Sequence, residues 1–172
     1  AAGVTFLDLI NGTSTVNLGS GALTISGAAT LADNDNITAT GGITFSSTID
    51  ADNAGSNDRT LTMTSGTGNT ISVASNIGAS QALAGLTITQ SDGTTFSGTV
   101  DVSDSSSGTI TITDTENGSD VTFAGAVTTD TLELGKAVYD LIFNGGGTFT
   151  NAVTFDNPRT VNLRNASGDS FN

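Results

Sequence analysis

The residues of this chain best suited to chemistry are its aspartates, and they come in loops. "DNDN" at 33–36, "DADNAGSND" at 50–58, "DVSD" at 101–104 and "DTENGSD" at 114–120 crowd carboxylates and amides into short polar stretches. Such loops offer hard oxygen donors, and calcium takes roughly six to eight of them. Asp50, Asp52 and Asp58 form the leading candidate set of metal ligands. None of the loops matches the full EF-hand pattern or the glycine-rich nonapeptide repeat. The competing reading is a set of solvated turns with Asx caps, and the residues leave both open.

Other reactive constellations are thin. Asp130 and Glu133 on "DTLEL" could pair as acid and base, but an outward, solvated pair of charges is the simpler reading. With no His, a Ser-His-Asp triad is impossible. With no Cys either, there is no thiolate or disulfide, and a structural zinc site is not expected. No catalytic residue is assigned, and enzyme activity is not expected. Asn11, Asn36, Asn117 and Asn165 each begin an N-x-S/T sequon, which chance supplies readily in an Asn- and Thr-rich chain. "TLTMT" and "TITIT" place Thr at every second position, a pattern that could order water against ice. The ordinary solvent-facing strand is the expected reading, because Thr does not recur at one fixed place along the chain.

The surroundings of these groups are set by composition. Over 172 residues, 17 acids against 4 bases give a net charge of −13. Arg59, Lys136, Arg159 and Arg164 are too few and scattered to track phosphates, so nucleic acid is not an expected partner. An anionic membrane surface would be repelled, and no apolar run reaches the roughly 18 residues of a spanning helix. Charged residues are only 12% and hydrophobic residues 35%, the balance being largely Thr, Ser, Asn and Gly. Scarce Lys, no Cys and abundant Thr, Asn, Asp and Gly point to an extracellular, bacterial setting.

The elements that must position the aspartates are strands. "TLTMT", "LTIT", "TITIT", "TLEL", "LIF" and "TVNL" are short and β-branched, and most alternate apolar residues with Thr, placing the two on opposite faces. Turn clusters such as "GTGN", "SDG" and "NGGG" separate them. Helical periodicity does not persist; "SQALAG" at 80–85 is the one candidate, and a loop is the better reading.

One hexad recurs: "TFSSTI" at 44–49, "TFSGTV" at 95–100, "TFAGAV" at 122–127 and "TFTNAV" at 148–153, with a fainter "TISGAA" at 24–29. Aligned on this hexad, Phe96, Phe123 and Phe149 recur at nearly equal intervals. The gap from Phe45 to Phe96 is about twice as long and holds two units with one Phe lost. Ile25 precedes Phe45, and Phe171 follows Phe149, by somewhat shorter steps. Repeats of this length mark a solenoid in which each unit needs its neighbours to complete the core. The expected fold is therefore all-β, a parallel β-helix (β-solenoid) whose irregular units run over roughly 20–27 residues. Phe should stack near Phe and Val on Val, and the small residue between them leaves room for a neighbouring coil or a bend. An antiparallel β-sandwich is the alternative, disfavoured by the missing core Trp and the internal similarity.

"LTITQSDGTTFSGTV", "VTFAGAVTTDTLEL" and "LIFNGGGTFTNAVTF" resemble the repeat regions of large secreted bacterial surface proteins. These include filamentous-haemagglutinin-like adhesins, autotransporter passengers and biofilm matrix proteins. The likeness covers most of the chain and is clearest over 86–163. It implies a right-handed β-helix, display at the cell surface, and a part in adhesion or matrix building; it carries no catalytic residues. The expectation is a single solenoid domain over 1–172, a segment of a longer array or a subunit that stacks head to tail. It would build a filament, sheath or adhesin stalk by β-stacking on itself or adjacent repeats. The alternative is a calcium-stabilised adhesin module that binds a glycan or host protein through its loops.

Overall fold

In the computed structural model the described residues are 4–6, 13–52, 59–104, 107–156, 159–164 and 170–171. They form short strands and no helix. The first half holds β1 (Val4–Phe6), β2 (Thr13–Asn17), β3 (Leu23–Ile25), β4 (Ala29–Leu31), β5 (Asn34–Thr38), β6 (Ile43–Phe45), β7 (Ile49–Ala51), β8 (Thr60–Thr64) and β9 (Ile71–Val73). The second half holds β10 (Gly85–Gln90), β11 (Thr94–Phe96), β12 (Val100–Val102), β13 (Thr109–Ile112), β14 (Asp120–Phe123), β15 (Val127–Thr129), β16 (Thr131–Leu134), β17 (Asp140–Phe143), β18 (Gly147–Phe149), β19 (Val161–Leu163) and β20 (Ser170–Phe171).

The chain winds these strands into a parallel β-solenoid of about six turns. Successive turns lay their strands on three faces. The first face runs β1-β4-β7 and resumes as β12-β15-β18-β20, with Ile77 bridging Ile49 to Val100 across the gap. The second runs β2-β5-β8-β10-β13-β16 and the third β3-β6-β9-β11-β14-β17-β19. Backbone groups of one coil thus pair with the coils above and below, about 4.8 Å away.

Period-2 alternation explains the core. In β8 the pattern Thr-Leu-Thr-Met-Thr buries Leu61 and Met63 and leaves the threonines half-exposed. On the third face one column of paired positions reads Ile25, Phe45, Val73, Phe96, Phe123, Phe143, Leu163. Its steps are unequal, shorter from Ile25 to Phe45 and longer from Phe45 to Val73. Val73 stands where the Phe is lost between Phe45 and Phe96.

The hexad is not one strand. Phe96 ends β11 on the third face and Val100 opens β12 on the first, with a bend between them. Both point inward because the chain turns a corner, not because they share a strand face. The residues at this bend, Gly27, Ser47, Ser75, Gly98, Gly125 and Gly145, are all small. A Cβ on Gly125 would lie 2.4 Å from the Gly98 carbonyl oxygen, and one on Gly145 would lie 2.2 Å from the Gly125 carbonyl carbon. The corner therefore stacks backbone on backbone.

The phase expected for the last unit is corrected. Phe143, not Phe149, pairs with Phe123, so "IFNGGG" is the true copy of "TFAGAV". Phe149 belongs to the first face, where it pairs with Thr129 and Phe171. Its ring meets Phe143 edge-on from inside, at a centroid distance of 5.6 Å. The 80–85 segment is a bent connection that buries Leu83 and hydrogen-bonds both neighbouring coils, through Ala51 N–H to Gln81 C=O and Leu83 N–H to Asp101 C=O.

Candidate functional site

The acidic residues fall both at corners and within strands, and several of them tie one coil to the next. Asp50 lies on β7, and its Oδ1 accepts hydrogen bonds from the Ser80 amide at 2.7 Å and the Gln81 amide at 3.5 Å. Asp104 accepts from Gln81 Nε2 at 2.9 Å, Asp114 from Gln90 Nε2 at 3.1 Å, and Asp92 from the Ser119 hydroxyl at 2.6 Å. Asp130 accepts from the Gly108 amide at 3.0 Å, and Asp140 from the Thr160 amide at 3.0 Å. In every case the two partners lie about one turn apart along the chain, so each contact clamps one coil to its neighbour. An ionised carboxylate is a strong acceptor for such orphan donors.

The proposed metal set is placed as follows. Asp52 forms a two-point ion pair with Arg59, Nε to Oδ1 at 2.8 Å and Nη2 to Oδ2 at 3.2 Å. Asp50 faces the next coil as a clamp, and Asp58 lies outside the described residues. Among the described residues no three acid, His or Cys side chains gather as a metal-binding group. The pair Asp130 and Glu133 does not form a couple: Asp130 holds Gly108, and the exposed Glu133 carboxylate reaches the Thr111 hydroxyl at 3.5 Å.

The corner at residues 31–35 departs from this pattern. Residues 31–34 stack under 52 and 60: the Asp52 amide donates to the Leu31 carbonyl, and the Thr60 amide donates to Asn34 Oδ1. Inside this corner Asp33 is 5% exposed and Asp35 is 2% exposed. Asp35 sits in the inward column of the second face, between Ser14 and Leu61. Neither oxygen of Asp35 and not Oδ2 of Asp33 meets a hydrogen-bond partner; Asp33 Oδ1 accepts only its neighbour's amide, Asn34 N–H at 2.8 Å. Burial, then the Asp33 charge, push the Asp35 carboxyl up to about 7, against a smaller opposing pull from Arg59. A charge at an inward position breaks the alternation rule, and "DNDN" carries that signal in the sequence: its register places Asp35 where the following coils carry Leu61, Leu86, Ile110 and Leu132.

The outer side of the second face corrects another expectation. The column Thr15, Asn36, Thr62, Thr87, Thr111, Glu133 shows that Thr does recur at one place in successive coils. Corner insertions of variable length hide that column from linear spacing. On the third face a polar depression of about 430 Å³ lies over β9, β11 and β14, lined by Ser72, Asp92, Thr95, Asp120 and Thr122 among others. Of the sequons, Asn36 is half-buried on β5 and Asn117 is exposed in a turn, while Asn11 and Asn165 lie outside the described residues. No protein-family model matches the chain, and neither a curated protein nor a solved structure does.

Proposed function

We propose that the chain is an extracellular structural repeat protein, part of a filament, sheath or adhesin stalk at a bacterial surface, with adjacent repeats or further copies as its partners. The observation that carries this reading is the coil-to-coil bonding. Three parallel ladders run along the axis, and carboxylate clamps at the corners add side-chain ties between successive coils. Such an architecture transmits load along its axis and extends by repetition, with stability summed over neighbouring coils. The excess of acid over base supports the same reading, because corner carboxylates that accept backbone and side-chain N–H groups need no basic partners.

Negative-stain electron microscopy of the purified chain tests this. Filaments longer than one molecule are expected. Isolated particles at every concentration would remove self-stacking from the reading. The second reading, an adhesin module binding a glycan, draws on the hydroxyl- and carboxylate-lined depression over β9, β11 and β14. A glycan array gives its test, with loss of signal in Asp120→Ala as the expected result.

A further inference from the structure

We propose that Asp33 and Asp35 hold one hard divalent cation of the calcium class inside the second coil. The proposal does not rest on the structural role above, since a site inside the coil serves any function of the solenoid.

Asp50, Asp92, Asp104, Asp114, Asp130 and Asp140 each accept a hydrogen bond from a neighbouring coil. Asp52 is matched by Arg59. Asp33 and Asp35 are buried more deeply than these, yet three of their four carboxylate oxygens meet no donor. A buried, unpaired carboxylate is strongly disfavoured, and two side by side more so. Arg59 holds Asp52 at two points, and its pull on Asp35 is smaller than the opposing effects of burial and the Asp33 charge. A cation resolves the corner: it takes up the negative charge and uses oxygens that nothing else in the coil uses.

The ligand chemistry is consistent. The available atoms are all oxygen, the preference of calcium and not of zinc or copper. Ser14, the cross-strand neighbour of Asp35, puts a hydroxyl-bearing residue on the same inward column. Backbone carbonyls and water supply the remaining oxygens of calcium shells elsewhere, and the two carboxylates here would rely on them in the same way. The alternative occupant is a proton shared by the pair, which would leave one carboxyl neutral.

Calcium chloride titrated into the chelator-treated chain at pH 8 separates the two. Calorimetry should show one calcium per chain, and the melting temperature should rise with the logarithm of calcium concentration. Both responses should vanish in Asp35→Asn and in Asp33→Asn and persist in Glu133→Gln, an exposed acid on the outer face. No binding to the wild type, or binding that survives in either Asp variant, would overturn the proposal. A melting temperature indifferent to calcium that rises as pH falls through 7 would assign the site to a proton instead. Should Asp35→Asn fail to fold, the wild-type stoichiometry and Asp33→Asn decide alone.

Discussion

The ring of Phe123 stacks on that of Phe143 at a centroid distance of 5.1 Å, with the planes inclined by only 5°. Phe96 lies on its other side at 4.9 Å. Because the strands are parallel and in register, identical inward positions are forced one above the next, and aromatic rings have no choice but to stack. Phe123 is fully buried. Phe123→Ala should therefore cost on the order of 3–5 kcal/mol in urea denaturation. A loss below roughly 1 kcal/mol, outside the range for a buried aromatic, would mean that the column does not carry the core. A double-mutant cycle of Phe123 with Phe143 should show a coupling of about 0.5–1.5 kcal/mol.

Gly125 is a different kind of constraint. Its backbone is not in the left-handed region; what excludes a side chain is the Gly98 carbonyl, 2.4 Å from where a Cβ would stand. Gly125→Ala should destabilise by roughly 1–3 kcal/mol, the range of overpacking, with the midpoint of chemical denaturation as the readout. An unchanged midpoint would mean that the corner widens freely.

Asp50 is expected to act as a clamp. Asp50→Ala frees the Ser80 amide and should lower stability by roughly 1 kcal/mol, as when a capping acceptor is lost. Asp50→Asn keeps an oxygen at the same place and should lose less. Hydrogen exchange at the Ser80 amide should quicken in the alanine variant only.

Alkaline pH offers a test that one residue reports. Burial, and secondarily the Asp114 charge, push the Tyr139 phenol from 10.0 up to about 12. The unfolded chain ionises first, so the stability tied to the neutral phenol is whole below pH 10 and is lost as pH rises through about 12. Tyr139 is the chain's one tyrosine, so tyrosinate absorbance follows it alone. Ionisation should coincide with loss of the far-ultraviolet β signal, and Tyr139→Phe should unfold at higher pH. Free titration near pH 10 with the fold intact would show that the hydroxyl is open to solvent.

The class of this fold was written in local pattern. Thr-Leu-Thr-Met-Thr and Thr-Ile-Thr-Ile-Thr can bury one face only as strands, and a hexad recurring along the chain with one Phe and one Val or Ile per unit needs neighbouring coils to cover it. What the residues alone could not supply was phase. "TFTNAV" matches the hexad letter for letter better than "IFNGGG" does, yet Phe143 takes the position opposite Phe123. Pairing is decided by where the corners fall, and corners absorb insertions without a fixed length.

The candidate site divides in the same way. That the aspartates gather in loops, that no His or Cys supports them, and that their negative charge lies far in excess of the bases are properties of sequence. Which carboxylates are engaged depends on which coil lies against which. Asp50 and Asp52 read alike in the linear sequence, and only the stacking of coils sets Asp50 against the Ser80 amide and Asp52 against Arg59. Asp35 looks like one more turn residue, but a register shared with Ser14 and Leu61 turns it into the core and leaves both its oxygens without a donor. Alternation is a local steric rule and is legible from one strand. The environment of a side chain is made by residues a full turn away along the chain, and only the winding of the coils brings them together.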